Sequence, residues 1–518
     1  MSDPFFTRPE HRKRKARNAA QKKSTASKKK PQNESRDEDL ASISSESDIE
    51  REQYDPDEEN EDAHENAAEK RLRIAKDYLD QIKNEIGEDV GFNAEDVDRE
   101  LLSERLQEDV LEKQGKMYLN YADRVEPSIQ HTCTQLRGRH SKPLVGLIMK
   151  EEFIYSADKS GLVQKWKILN EDSEGGVDSS SKLKLRPVRF SIPQGGDRDH
   201  VAEITCLTIS NDGRWVVTGG LDHRIVVRDS ETLTAQHCWK HHRDVILALA
   251  FRKGTNEMFS ASADRSIKVW SLDSMSYVET LFGHQDIVYD VDAFSQERCI
   301  TVGGRDRSSR LWKIVEESQL VFRSGGNSIK MTGGYMEGSV DCVTMVDENH
   351  FITGSDNGVI ALWSLQRKKP VYTYPLAHGL DTPLAPERHS AEKTPSESST
   401  PPQPRWITCL RALPYANLFV SGSWDGTIRL WKIADGLRSF EPVELERPLA
   451  TKSIINSLSL SIQGRKGHEQ LLVLAACGRE FRYGRWKNIR NVPNVGYIFQ
   501  IPLQSASALQ TSNGTASA

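Results

Sequence analysis

The chain has 518 residues, with 70 basic side chains against 75 acidic ones and a formal net charge of -5. That length allows several domains, yet no apolar run approaches the roughly 18 residues of a membrane-crossing helix, so no membrane partner is expected. Seven cysteines with no CxxC pair argue against a zinc site and against a secreted disulfide framework, and no signal-peptide-like apolar segment opens the chain. The expectation is a soluble intracellular protein of a reducing compartment.

The mild net charge hides opposite local fields. Residues 8 to 30, RPEHRKRKARNAAQKKSTASKKK, form a basic tract almost free of acids. Such a tract reads as a nuclear or nucleolar localisation signal, or as an arm for RNA phosphates. From Glu34 to Glu65 the sign reverses, with too little apolar material to offset the entropy of folding. Ser45 and Ser47 each precede an acid, the pattern of an acidophilic kinase target. Residues 1–65 are therefore expected to be a disordered tail.

Residues 66–122 turn helical in pattern. Leu72, Ala75, Leu79, Ile82 and Ile86 recur at steps of three and four, and Gly87 and Gly91 interrupt the stripe. Asn93 then caps a second expected helix with Val97, Leu101, Leu106, Val110 and Met117 on its apolar side. Two amphipathic helices without a core of their own need a surface, either the rest of this chain or a partner protein.

A repeat begins near residue 128 and runs to 502. Its clearest copy joins KHHRDVILALAF, holding His242, to SASADRSIKVW, holding Ser260, Asp264 and Trp270. This is a histidine, a buried strand, a serine strand, a tight Asp turn and a strand ending in Trp. Asp264 can accept from His242, His242 can bond Ser260, and Ser260 can accept from the indole, so each buried polar group has a partner. Asp222, Asp264 and Asp306 fall 42 residues apart, the length of four short strands with turns. The six-residue step recurs from Ser160 to Trp166, Asp222 to Arg228, Asp306 to Trp312, Asn357 to Trp363 and Asp425 to Trp431, and the spacing alone recurs from Glu480 to Trp486.

The fold expected is all-β, a seven-bladed WD40 β-propeller over residues 128–502, preceded by the disordered charged tail and the two amphipathic helices. The copies are uneven: only the third shows all four polar members. The second ends in Arg228, the fourth has Val302 where Ser would stand, and the fifth and sixth lack the histidine. Cys206, Cys342 and Cys409 share one position in the first strand of their blades and read as small core residues. Residues 128 to 137, SIQHTCTQLR, are expected to pair with the strand at 495 to 502 and close the ring, which leaves Glu480 to Trp486 in a loop. Insertions at 170–182 and 379–404, and residues 503–518, are expected to be disordered.

No nucleophile elbow, phosphate-cradling glycine loop, HExxH or paired acids appear, so neither catalysis, a cofactor, a metal nor a small-molecule substrate is expected. Two basic features point to nucleic acid. The turns between second and third strands carry Lys159, His223, Arg224, Arg265, Arg305 and Arg307, an arc of cations across adjacent blades. The second is REFRYGRWKNIR, where Arg479, Arg482, Arg485, Lys487 and Arg490 interleave with Phe481, Tyr483 and Trp486. Guanidinium groups for phosphates beside aromatic faces for unpaired bases make an RNA-contacting composition.

The basic then acidic tail, EKRLRIAKDYLDQI with EDVLEKQGK, the blades GGLDHRIVVRD and VGGRDRSSRLWKI, and the closing GREFRYGRWKNIRN together resemble the U3 small nucleolar RNA-interacting WD-repeat family. That resemblance implies a non-enzymatic subunit of the U3 box C/D ribonucleoprotein in the nucleus and nucleolus, acting in the small-subunit processome on pre-ribosomal RNA and 18S maturation. It implies partners too: U3 RNA, a kink-turn-binding protein, other box C/D proteins and processome proteins. It fixes no RNA-contacting residue. The alternative reading is a WD40 scaffold in a nuclear complex that binds only proteins.

Overall fold

Every strand in this architecture is shaped by how many of its faces meet protein. In the third blade the innermost strand, Ile246–Phe251 (ILALAF), is buried at all positions, because a strand at the hub has a neighbouring blade on each face. The second and third strands, Glu257–Ser262 and Ser266–Ser271, stay mostly buried, and the outermost, Ser276–Phe282, has no buried residue. The sheet therefore grades from an apolar hub to a wet rim.

The computed structural model describes residues 119–126, 128, 131–169, 183–192, 196, 198–324, 335, 338–381, 402–434, 436–464 and 469–504. The chain divides into two units, Met1–Gly91 and Phe92–Ala518, and all the described residues belong to the second. The expected tail (1–65), the two helices up to residue 118, the insertion at 170–182 and most of that at 379–404 lie outside them.

Seven antiparallel sheets each run from an inner to an outer strand. Their inner strands are Leu144–Lys150, Ile204–Ile209, Ile246–Phe251, Val288–Ala293, Val340–Met345, Ile407–Ala412 and Ile454–Gln463. Each packs against the next and the last against the first, so the ring is closed. The seventh blade is assembled from both ends of the repeat region: Ile454–Gln463, Gln470–Gly478, Gly496–Pro502 and then Thr132–Leu136. Thr132 faces Gln500 and Leu136 faces Gly496 in an antiparallel register, as the sequence led us to expect. Cores lie between blades: Cys206, Val217 and Trp239 of the second blade pack with Ile246, Leu249 and Trp270 of the third, and Trp239 stacks on Trp270 at 4.6 Å.

Both boundaries of the propeller extend past the expected ones. Leu119 pairs with Ala416 in a parallel bridge, and Ala122–Arg124 form a short 3-10 turn in place of the end of an α-helix. At the other end, Leu503 is buried and Gln504 donates its backbone N–H to the Arg124 carbonyl at 3.0 Å.

The polar networks between blades are more complete than the sequence suggested. In the third blade His242 Nδ1 lies 2.8 Å from Asp264, its Nε2 lies 2.7 Å from Ser260 Oγ, and the Trp270 indole donates to Ser260 Oγ at 2.8 Å. The fourth blade has the same set with Thr301, not Val302, as its hydroxyl: His284 Nε2 and the Trp312 indole both reach Thr301 Oγ1 at 2.8 Å. Its turn holds one residue more than that of the third blade, which displaces a count made along the chain. The sixth blade does have its histidine, His378, 2.8 Å from Ser421. The insertion separates the two by 43 positions where the third blade has 18. The first blade uses His140, Ser156 and Trp166, with Asp158 3.5 Å from the imidazole, two residues ahead of the expected turn position Ser160. Among the described residues no histidine joins Thr353 and Trp363 in the fifth blade, where the indole still donates at 2.9 Å.

Arg228 takes the place of a tryptophan in the second blade. Its guanidinium donates to Thr218 Oγ1 at 2.6 Å and to Asp199, while His200 joins Thr218 to Asp222. The Arg228 side chain has no exposed surface. Burial lowers its proton affinity and the Asp199 carboxylate opposes that, so the arginine is tolerable only while Asp199 faces it. Replacing Arg228 by Ala strands a mostly buried carboxylate, and we expect a loss of about 3–5 kcal/mol, read as a lower midpoint in chemical denaturation. A loss under about 1 kcal/mol would mean that this pair does not hold the blade.

Candidate nucleic-acid interface

The connection between the second and third strands of the seventh blade is long enough to fold on itself. Glu480–Phe481 and Gly484–Asn488 form a separate two-stranded hairpin instead of a blade strand. It lies on the face that carries the short turns between second and third strands. Lys159, in such a turn of the first blade, donates to the Phe481 carbonyl at 2.7 Å. Lys487 sits 3.8 Å over the ring of Trp424, in the turn of the sixth blade.

The tip of the hairpin descends into the mouth of the central channel. Arg482 N–H donates to Asn456 Oδ1 at 3.0 Å. Tyr483 Oη donates to the Tyr289 carbonyl at 3.0 Å, on an inner strand across the ring, and reaches the Leu247 carbonyl at 3.4 Å. The Arg482 guanidinium lies 4.4 Å from the Tyr483 ring. Burial pushes the Tyr483 phenol well up. Burial also works against the Arg482 charge, but the negative groups around it at the hub, Asp290 among them, outweigh it and raise its affinity for the proton. These two expected RNA contacts thus face the interior and anchor the hairpin.

The rest of the hairpin faces outward. Trp486 is 57% exposed and stacks on Trp406 at 5.8 Å with an interplanar angle of 22°. The Arg485 side chain is 68% exposed, held at its head by Glu203 at 3.2 Å and Glu480 at 3.5 Å. Arg479 and Arg490 are exposed, and Arg479 Nε donates to the Val492 carbonyl at 2.6 Å. Lys487 is half-buried and bonded to Asp381 at 3.2 Å. A recess between hairpin and first blade gathers Lys142, Arg479, Arg485 and Arg490 with the amides of Asn488 and Asn491. The hairpin thus presents one exposed indole able to take a base and, in the recess, cations able to meet phosphates, with Glu203 paired to both Lys142 and Arg485. Lys142 and Trp406 were missed in the sequence: one precedes a strand without a motif, and the other follows an insertion.

Trp406 owes its position to the channel. Its indole donates to Asp341, which also accepts from Ser339 Oγ at 2.9 Å. Burial, with the charge of Asp356 adding to it, pushes the Asp341 carboxyl up to about 7. Asp290, another carboxylate at the hub, is raised by burial as well and accepts from the Val343 N–H at 3.1 Å. Acids do collect here, contrary to our reading of the sequence, yet each accepts structural hydrogen bonds. No group of acids, histidines or cysteines among the described residues is arranged to hold a metal.

The arc of turn residues divides in the same way. Lys159 is buried against the hairpin, and Arg224 donates to the Asp199 carbonyl at 2.8 Å. Arg265, Arg305 and Arg307 are exposed. The residue after the turn position is left-handed in six blades: Gly161, Gly358 and Gly426 in three, and His223, Arg265 and Arg307 (φ 61°, 67° and 49°) in the others. A side chain there costs about 1–2 kcal/mol of backbone energy that glycine avoids, so folding does not select these residues.

The WD domain, G-beta repeat family matches residues 195–229, 233–271, 275–313 and 398–432. Those matches fall on the second, third, fourth and sixth blades, where histidine, hydroxyl and turn Asp are all in place. Ribosomal RNA-processing protein 9 of Saccharomyces cerevisiae is 33% identical, over 82% of this chain and 87% of that one. Human U3 small nucleolar RNA-interacting protein 2 is 34% identical, over 85% and 83% respectively. The chain belongs to the U3 small nucleolar RNA-interacting WD-repeat family. A solved member, U3-55K, is 32% identical and superposes with a TM-score of 0.59, over 73% of this chain and all of that one. Within this family fold the hairpin, the channel acids and the turn arginines are the features that remain to be given a role.

Two measurements separate their roles. Arg265→Gly should leave folding unchanged or stabilise it by up to about 1 kcal/mol in thermal unfolding, and a clear loss would make Arg265 structural. Asp341 is raised in the folded state, so between pH 5 and 7 the unfolded chain has lost a proton that the folded chain keeps. Wild-type stability then falls as pH rises through that window, by at most about 1.4 kcal/mol per pH unit from this group, and levels off above about 7. In Asp341→Asn the group cannot ionise, so the stability of the variant relative to wild type should climb from pH 5 to 7. Parallel curves would show that Asp341 is ionised throughout.

Proposed function

We propose that this chain is a non-catalytic subunit of the U3 box C/D ribonucleoprotein that contacts U3 RNA through the hairpin face of its propeller. The observation that carries the reading is the exposed Trp486, stacked on Trp406, on the same hairpin whose Arg485 lines a recess with Arg479, Arg490 and Lys142. An unpaired base stacks on the indole, and neighbouring phosphates meet the guanidinium groups. Arg265 continues the positive surface toward the third blade. Arg482 and Tyr483 act behind the interface, holding the hairpin in register with the hub.

The relatives named for ribosomal RNA processing and for interaction with U3 RNA support a role in pre-ribosomal RNA processing and 18S maturation, in the nucleolus and within the small-subunit processome. A closed rigid ring with a fixed hairpin suits recognition of RNA shape and backbone with one or two splayed bases. A kink-turn-binding protein that first bends the RNA is the partner this mode of reading needs, alongside other box C/D proteins. The hydrogen-bonded state of the channel acids favours binding over chemistry. The basic tract at residues 8 to 30 serves import into the nucleus and nucleolus.

The test is crosslinking of the tagged full chain in cells, with sequencing of the attached RNA, for wild type and for Arg485→Glu with Arg490→Glu. Direct U3 crosslinks at 479–490 in wild type, reduced about tenfold or more in the variant at equal thermal stability, would support the reading. In purified binding the log–log salt slope should flatten by about 0.7–0.9 for each phosphate that the variant no longer neutralises. U3 RNA recovered only through other proteins would make this chain a protein-binding scaffold.

A further inference from the structure

A second basic feature lies away from the hairpin, on the outer rim of the fourth blade. Here Arg305 and Arg307 of the turn, Arg310 of the third strand (Ser308–Lys313) and Arg323 of the outer strand (Ser318–Arg323) line one recess, with Ser308. Its single acid, Asp306, is engaged by His284 Nδ1 at 2.9 Å and by the Ser308 N–H at 3.1 Å.

Two polar groups in this lining are built without a partner. Ser308 is 3% exposed, and its Oγ has no hydrogen bond. Hydroxyls at the same position elsewhere donate to their turn aspartate, Ser266 to Asp264 at 2.6 Å and Thr427 to Asp425 at 2.7 Å. Arg310 Nε is likewise buried and unbonded, although another of its nitrogens donates to Gln319 at 2.9 Å. Space for Arg310 depends on Gly283, where a Cβ would stand 2.8 Å from the guanidinium. Buried donors left unmade cost stability, and a turn of the Ser308 side chain about its Cα–Cβ bond would bring its hydroxyl into the recess to complete one of them with a ligand.

Four arginines and a serine lining one recess match a compact dianion. An RNA backbone presents single charges in a row and is met by cations in a row, whereas a phosphomonoester concentrates nearly two charges and three acceptor oxygens at a point. We propose that the recess of Ser308, Arg310 and Arg323 binds the phosphate of a phosphoserine- or phosphothreonine-containing segment of a partner protein, independently of the RNA site. Arginine clusters reading a phosphorylated side chain are a recurring mode of peptide recognition.

The experiment uses the full chain and fluorescent peptides with degenerate flanks, centred either on phosphoserine or on serine. Wild type should bind the phosphorylated peptides about tenfold or more tightly than the serine peptides. Arg323→Gln should remove most of that preference, and Ser308→Ala should reduce it several-fold. Because Ser308 Oγ makes no bond in the protein, Ser308→Ala should fold normally and serves as the control for misfolding. The Arg485→Glu, Arg490→Glu protein should keep phosphopeptide binding while losing RNA, so this proposal and the RNA reading fail separately. Equal binding of both peptides, or a preference unchanged in both variants, overturns it. Binding of inorganic phosphate alone would mark an adventitious anion site and overturn it as well. So would loss of single-stranded RNA binding in Arg323→Gln, which would make the recess part of the RNA path.

Discussion

Seven sheets can each bury an inner strand on both faces only if the ring closes, and it closes through five residues, Thr132–Leu136, paired to Gly496–Pro502. Without that pairing the third strand of the seventh blade would become an exposed edge, with unpaired N–H and C=O groups open to other chains. The hub, the inter-blade cores and the position of the hairpin all follow from closure. The hairpin grows from the same blade that carries the closing strand, so its position depends directly on that seam.

The hairpin converts a ring into a platform. Its tip is bonded to carbonyls of the third and fourth blades, across the channel from its own base, which braces the loop at both ends. An exposed tryptophan on a mobile loop would lose side-chain and backbone entropy on binding a base, whereas one stacked on Trp406 and tied through Asp341 to the hub is already ordered. The buried acid at the channel and the exposed indole on the surface are thus linked by a short line of contacts, Asp341 to Trp406 to Trp486.

Between the blades the same polar problem is solved with different residues. Serine and threonine exchange freely as the hydroxyl, because either accepts from an indole and meets an imidazole. Arg228 with Asp199 replaces a tryptophan at the cost of burying an ion pair. The turn positions show the opposite economy: glycine suffices in three blades, while His223, Arg265 and Arg307 accept left-handed backbone, which keeps the two arginines at the surface.

Periodicity, the Asp turn and the terminal Trp were enough to count the blades, to expect closure by residues near 132 and to place Glu480–Trp486 outside the blade, since these depend on local pattern and on the rule that edges must be paired. The composition of the segment from Arg479 to Arg490 also marked it as a surface of interest. What the linear chain hid were relations made through space. His378 meets Ser421 across an insertion, Thr301 replaces Val302 because of one extra turn residue, and Asp158 stands in for a position two residues later. Above all, Arg482 and Tyr483 look like their neighbours in sequence, yet they form the turn of a hairpin laid over a channel and reach into its mouth, while Arg485 and Trp486 on the returning strand stay outside. Side-chain type is a property of the chain; which side chain reaches solvent and which completes a buried hydrogen bond is settled only when the ring has closed.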